Sequence, residues 1–354
     1  MKILLTLDFP PERGGIQTYL SDIVKHEYRE CDIVLAGCIP AHADADDPPG
    51  ASVERISGTL SALNKKCALI GMYRRYRTLC KRADSPDVAC GNIYAALVAW
   101  LHRLLHGQPY AVYTYAAELL ALKRSILKRR LFISVLSRAS KVYVLTAYGK
   151  SLLRDLGVAT PAVTASPRID LRDAPRYRED LAGRRHRILC VGRLVLHKGH
   201  DTLVRAVARL PAEVPWRVTL AGNGPRRSAL VRCIHANGAD ERIQIETDCD
   251  NASLAQCYEQ AGMFVFPSLE LPNATEGFGI ALLEAMAAGL PIVASRCGGI
   301  PEALGYGSRG LLARPGDPES FARAIVELYT NHELCETLRT TALRDLHKHY
   351  VWRA

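Results

Sequence analysis

The chain has 354 residues and a formal charge of +10, with 48% apolar and 23% charged residues. That length suggests about two domains of ordinary size, and the composition excludes a disordered chain, a collagen and a coiled coil. No apolar run approaches the roughly 18 residues of a spanning helix; the longest, Ile93–Leu101, stops at His102-Arg103.

The first stretch, Lys2–Leu7, is too short for a signal-peptide core and ends in Asp8, so it reads as a buried strand. Gly15–His26 has helical spacing, and Cys31–Ala36 is the next strand. The polar run 41–50 is a loop by composition. Residues 60–82 are basic and helical, and 92–106 form an apolar helix. Tyr110–Tyr115 is rich in β-formers, Leu119–Ala139 is one long basic amphipathic helix, and Val142–Thr146 is a further strand. A second series has strands at Arg187–Val191, Arg217–Ala221, Ile243–Glu246, Met263–Phe266 and Pro291–Ala294, with helical patterns between them. Strands alternating with helices predict parallel sheets covered on both faces, an α/β architecture of two doubly wound domains. The charged, proline-containing stretch 170–187 marks the boundary between domains at 1–170 and 171–335, followed by a C-terminal helix over 336–354. Two such domains would leave a cleft at the carboxyl ends of their strands, where ligands bind near helix N-termini.

The eleven cysteines are odd in number and scattered, without Cys-x-x-Cys or zinc-ligand spacing, which fits reduced thiols in the cytoplasm. The charge is uneven. Residues 1–170 hold 23 basic against 15 acidic side chains, an excess of eight, while residues 171–354 hold 23 against 21.

Three segments carry candidate chemistry. In the first, a loop after Pro267 leads to Glu276; Gly277 and Gly279 then open a helix that contains Glu284. Free amides at a helix start attract an anion such as a diphosphate. Two carboxylates eight residues apart, about 12 Å along a helix, could each hold vicinal hydroxyls. Spacing alone equally allows Glu284 to face solvent and Glu276 to be a helix-start acid. In the second segment, Arg193 and Lys198 follow a strand; a guanidinium fork and a mobile ammonium can converge on one diphosphate. In isolation they could also be surface cations. In the third, Gly14-Gly15 follows the first strand and lets backbone approach a ligand closely.

Together these segments, with Ala221-Gly-Asn-Gly-Pro225, resemble the retaining GT-B glycosyltransferases of family 4, in the family's order and over nearly the whole chain. The opening, Phe9-Pro-Pro through Gly14-Gly-Ile-Gln17, is similar to that of bacterial phosphatidylinositol mannosyltransferases. The resemblance implies two Rossmann-like domains facing across a cleft and a retaining hexosyl transfer from a nucleotide diphosphate sugar, without a metal. Arg193 and Lys198 would bind and neutralise the diphosphate, and Glu276 would hold donor-sugar hydroxyls. The amides of Phe278, Gly279 and Ile280 would support sugar and phosphate, Glu284 would take the ribose, and Gly14 and Gly15 would close over the phosphates. The base would lie near Glu246–Asp250. The mannosyltransferase-like opening tilts the donor toward GDP-mannose over a UDP-sugar.

Two features depart from the family pattern. Tyr115 stands where many members have a histidine, which makes Tyr115 and Glu118 the acceptor-side candidates; Glu118 could also be a plain helix-start acid. The family's final crossover helix looks shortened, since Tyr350-Val-Trp352 is followed by two residues only. Asp44-Ala-Asp46 and Asp248-Cys-Asp250 match a metal-holding string of another glycosyltransferase fold, but Arg193 and Lys198 make a metal unnecessary. The basic helix Leu119–Ala139 and the cluster Tyr73–Arg77 suit an anionic membrane surface at the inner face, and no nucleic-acid motif accompanies the charge. The expected activity is therefore hexosyl transfer to a lipid-linked or growing glycan acceptor in cell-envelope synthesis. A sugar-nucleotide-binding protein without turnover and a GT-B sugar-nucleotide epimerase are the rival readings.

Overall fold

The structure, a computed structural model, describes residues 1–11, 14–37, 47–56, 62–177, 179–181 and 183–352, with the backbone alone for 62–67. The chain divides into two compact units, Met1–Ser166 and Pro167–Ala354.

The described residues of the first unit form β1 (Lys2–Thr6), α1 (Gly15–Glu27), β2 (Ile33–Gly37), β3 (Ser52–Ile56), α2 (Ala62–Arg82), β4 (Asp87–Cys90) and α3 (Ala96–His106). They continue with β5 (Ala111–Thr114), α4 (Ala116–Leu122), α5 (Ile126–Ser137), β6 (Lys141–Val144), α6 (Ala147–Leu156) and β7 (Ala162–Thr164). The strands make one parallel sheet in the order β3-β2-β1-β4-β5-β6-β7. Its core joins Ile3, Leu5, Val88, Val112 and Val142 from the strands to Tyr76, Ala99, Phe132 and Leu153 from the helices. Each fully buried valine, leucine, isoleucine or phenylalanine contributes about 1.5–3 kcal/mol.

The second unit contains β8 (Arg187–Val191), α7 (His200–Val207), β9 (Arg217–Ala221), α8 (Arg227–Ala236), β10 (Ile243–Glu246), α9 (Asn251–Gln260) and β11 (Met263–Phe266). After these come α10 (Ile280–Ala287), β12 (Ile292–Ser295), α11 (Ile300–Ala303), β13 (Leu311–Ala313), α12 (Pro318–Thr330) and α13 (His332–His349). The sheet order is β10-β9-β8-β11-β12-β13, again parallel. Trp216, Phe321, Val218, Leu220 and Ile325 sit at the centre of its core. Asp317 starts α12 by accepting from the amides of Glu319 and Ser320, with Pro318 pre-set at the first helical position.

Both sheets reverse direction of winding once, between β1 and β4 and between β8 and β11. Ligands of open parallel sheets bind outside the carboxyl ends of the strands at such a switch point.

Several expectations need correcting. The long helix over Leu119–Ala139 is two helices, because the chain turns at Lys123–Ser125 and Ser125 caps α5 by accepting from the Lys128 amide. Strands β3, β4, β7 and β13 have three to five residues each and too little alternation to stand out in sequence. In the cluster Tyr73–Arg77, Tyr76 is fully buried in the core and Arg75 is paired with Glu54 at 2.6 Å, so the cluster is not an open aromatic–basic face. Residues 44–46 lie outside the described ones.

The C-terminal helix α13 packs on α10 and α12 of its own unit. The tail then pairs with the start of that unit: Ile169 N–H donates to Tyr350 O at 2.8 Å, and Trp352 N–H donates to Ile169 O at 3.1 Å. Arg168 stacks its guanidinium over the Trp352 ring at 5.1 Å.

Candidate active site

In the second unit the switch point collects most of the candidates. β8 ends at Val191, and the chain turns through Gly192 and Arg193 into a single 3-10 turn, Leu196–Lys198. The turn into α7 depends on Gly199. Its φ is +68°, and a Cβ there would stand 1.9 Å from the Pro267 carbonyl oxygen. That close approach holds the Lys198 turn against the loop that follows β11.

Lys198 Nζ donates to Glu276 Oε2 at 2.6 Å and lies 4.8 Å from the centre of the Phe266 ring. Both partners are mostly buried, with side-chain exposures of 18% and 16%, so the pair is shielded from the screening that weakens surface pairs. Two residues 78 apart in sequence are thus joined directly. Arg193 lies on the same turn, exposed, and has no side-chain partner among the described residues.

Glu276 is held from behind by a turn after β12. Gly299 N–H donates to the Glu276 carbonyl at 2.9 Å, and Gly298, at φ +56°, would put a Cβ 2.2 Å from that same oxygen. Glu276 itself is in a loop, since α10 begins only at Ile280. The separation estimated along a continuous helix therefore does not apply to Glu276 and Glu284. The amides of Phe278, Gly279 and Ile280 make no hydrogen bond among the described residues. The Phe278 side chain is buried, its ring 5.6 Å from that of Tyr350.

Glu284 does not point at Lys198. Its Oε2 accepts from the Tyr258 hydroxyl at 2.6 Å, and burial raises its carboxyl above the usual range despite that bond. The loop after β10 is tied to the Gly-Asn-Gly turn by Asn223 Nδ2 donating to Asp248 Oδ1 at 2.8 Å. Asp250 caps α9, accepting from the Ser253 amide at 2.7 Å. Both acids of that string therefore have partners inside the fold.

In the first unit, Gly14 caps α1 and Gly15 begins it. Tyr115 and Glu118 stand at the carboxyl end of β5. Glu118 accepts from the Tyr115 amide at 3.3 Å and also from the Ile93 amide, so it caps its own helix. Burial first, and the nearby Asp8 second, push its carboxyl well above the ordinary range. The Tyr115 hydroxyl is buried, has no hydrogen-bond partner among the described residues, and feels Tyr19, Glu118 and Asp8. Asp8, after β1, accepts from Asn92 Nδ2 at 2.6 Å, and Asn92 Oδ1 accepts from the Ala95 amide at 2.8 Å. Asp8, Asn92, Tyr258 and Gly298 were not singled out from sequence. The signal for the first two was available: each follows a strand at the switch point of the first sheet.

Comparison with known proteins agrees with this fold. Residues 185–331 match the family described as Glycosyl transferases group 1. A GDP-mannose-dependent alpha-(1-6)-phosphatidylinositol monomannoside mannosyltransferase of Mycobacterium tuberculosis is 28% identical over 349 residues, spanning 94% of this chain and 89% of that protein. Its Mycolicibacterium smegmatis counterpart is 28% identical over 99% of this chain and 93% of its own length. Among solved structures, Anabaena HepE in complex with UDP and glucose superimposes with a TM-score of 0.81 at 19% identity, covering 99% of this chain and 96% of that one. The sucrose-phosphate synthase of Thermosynechococcus elongatus gives 0.82 at 19% identity, with the same coverage. The fold is that of the GT-B glycosyltransferases. The chain carries a glycosyl transferases group 1 domain over residues 185–331.

Proposed function

We propose that this protein is a retaining, metal-independent hexosyltransferase. It takes a hexose from a nucleotide diphosphate sugar, with GDP-mannose favoured over a UDP-sugar, and passes it to a lipid-linked or growing glycan acceptor. The observation that carries this reading is the Lys198–Glu276 pair at 2.6 Å, at one switch point with Arg193 and the amides of 278–280, which have no partner among the described residues.

As the glycosidic bond breaks, negative charge grows on the diphosphate oxygens. Arg193, Lys198 and the three amides are donors fixed where that charge develops, so they stabilise the transition state more than the ground state. Glu276, held by Lys198, accepts from donor-sugar hydroxyls, and Glu284 accepts from the ribose on the far side of the amides. The first unit's candidates are Gly14 and Gly15 for the phosphates, and Tyr115 with Glu118 for the acceptor. Retention would follow from attack on the face the leaving group vacates, with a phosphate oxygen helping to take the acceptor proton.

The preference for GDP-mannose is supported by the mannosyltransferase relatives, while UDP in the solved HepE complex supports the broader nucleotide-sugar class. Membrane association at the inner face is supported by the acceptor named for those relatives and by the basic first unit. Thermal-shift titration with GDP, UDP and dTDP, with and without chelator, tests the reading. A ligand at 100 times its dissociation constant adds about 2.7 kcal/mol. A chelator-insensitive shift with one nucleotide, lost in Lys198→Ala, is expected. No shift with any nucleotide refutes the donor site. A nucleotide shift without transfer to any lipid-linked acceptor favours a binding protein, and interconversion of the donor alone favours an epimerase.

A further inference from the structure

Along β8, β9 and β10, alternate residues point to opposite faces. One face carries Ile188, Cys190, Val218, Leu220 and Ile243, which belong to the core. The other carries Arg187, Arg217, Thr219, Arg242, Gln244 and Glu246, which line an open groove of about 550 Å3 between β10 and α9. A face sealed by a helix is apolar; this one sets more charged and polar side chains than apolar ones along the groove, with Leu189, Cys257 and Ala261 between them.

The three arginines are neighbours. Arg187 pairs in register with Arg217, and Ile243 with Val218, which sets Arg242 beside Arg217 at the next strand. Adjacent strands are about 4.8 Å apart, so the three arginines start from neighbouring positions on three adjacent strands. None of the three is ion-paired to a carboxylate among the described residues; Arg217 donates only to the neighbouring Trp216 carbonyl, at 3.2 Å. Two acids precede Arg242 on the rim, and Asp240 of these faces His235 at 3.4 Å. The local field is felt by His186, whose imidazole is held below its usual range by burial first and then by Arg187 and Arg217.

We propose that this groove is a second binding site, for a phosphomonoester of a sugar or polyol. Planar guanidinium forks match phosphate oxygens in a bidentate way. Farther along the groove stand groups suited to hydroxyls. The Gln244 amide is oriented by donating to Thr219 Oγ1 at 3.1 Å, Ser253 and Gln256 face it from α9, and Glu246 closes the far end as a pure acceptor. The volume is within the range of small-molecule sites. The arginines stand at the amino ends of the strands, opposite the end that holds Lys198 and Glu276; Glu246, at the far end, borders the region expected for the base, but the phosphate subsite does not rest on the donor site.

Calorimetric titration of the full chain with glucose 6-phosphate, inorganic phosphate and glucose tests the assignment. Saturable binding of glucose 6-phosphate is expected, unchanged by saturating GDP or UDP, with inorganic phosphate weaker and glucose undetected. Arg217→Ala/Arg242→Ala should weaken it at least about tenfold, as loss of charged hydrogen bonds does. Arg217→Lys/Arg242→Lys, which keeps the charge and the fold, should weaken it too by removing the forks. The proposal is overturned if glucose 6-phosphate does not saturate, if both double variants bind as the wild type does, or if a nucleotide displaces it. Inorganic phosphate binding as tightly as glucose 6-phosphate would also overturn it, leaving a bare anion site.

Discussion

Lys198 and Glu276 form a 2.6 Å charged contact in the proposed donor site, and each depends on the other for its position. Replacing either by alanine removes one stabilising group and leaves its partner buried without compensation. Loss of one preorganised donor typically costs on the order of 10²–10³ in rate. Lys198→Ala and Glu276→Ala should therefore each lower transfer by about that factor, with circular dichroism unchanged. Near-wild-type turnover in both variants would refute the site assignment. His200, next to this turn, is 4% exposed, with no partner for Nε2 among the described residues. Burial first, and Lys198 second, push its imidazole down to about 4. Its unfolded value is about 6.5, so between pH 6.5 and 4 the unfolded chain binds a proton that the folded chain does not. Stability from this residue is complete above pH 6.5 and falls as the pH drops, by up to about 3 kcal/mol. Denaturant titrations at pH 7.5, 5.5 and 4.5 should show this loss in the wild type and a smaller one in His200→Asn; parallel curves would assign the acid sensitivity to other groups.

At the scale of elements, the site is assembled by turns rather than by helices. Gly298 and Gly299, after β12, hold the carbonyl of Glu276. An alanine at 298 would meet that oxygen and would have to adopt the left-handed region, which costs roughly 1–2 kcal/mol for a residue with a Cβ. Gly298→Ala should lower the Tm and reduce transfer more strongly than it reduces nucleotide binding, because it displaces Glu276, the proposed sugar-side acid. Equal losses in binding and turnover would mean that the turn supports the whole loop instead. The strands β8 to β11 and the Gly-Arg and Glu-loop segments were legible in sequence because buried parallel strands are near-continuous apolar runs bounded by turn residues. The break between α4 and α5 was not. Lys123–Ser125 interrupts no apolar periodicity, and only the capping hydroxyl of Ser125 marks a new start.

Over the whole molecule, the excess charge lies in the first unit, and α5 begins with Ile126 and Leu127, 76% and 81% exposed. Lys128, Arg129 and Arg130 follow at once, also exposed. A basic helix with apolar residues at its tip suits an anionic bilayer. No helix among the described residues is long and apolar enough to cross one. Co-sedimentation with vesicles rich in phosphatidylglycerol should exceed that with neutral vesicles and weaken between 50 and 500 mM salt, because screening shortens to a few ångströms. Ile126→Ser/Leu127→Ser should reduce it further at every salt concentration. Equal sedimentation with both vesicle types would remove the membrane from the proposed function.

The sequence by itself determined the α/β class, the two-sheet organisation and the strand ends that carry Arg193, Lys198 and Glu276, because each is written in local periodicity and in glycine-rich turns. Only the tertiary structure decided which of these side chains meet. Lys198 and Glu276 pair across 78 residues, whereas Glu284 turns to Tyr258. The neighbourhood of Asp8, Asn92 and Tyr115, and the row of Arg187, Arg217 and Arg242, exist only through strand order and register. Those depend on long-range pairing, and a linear pattern cannot express it.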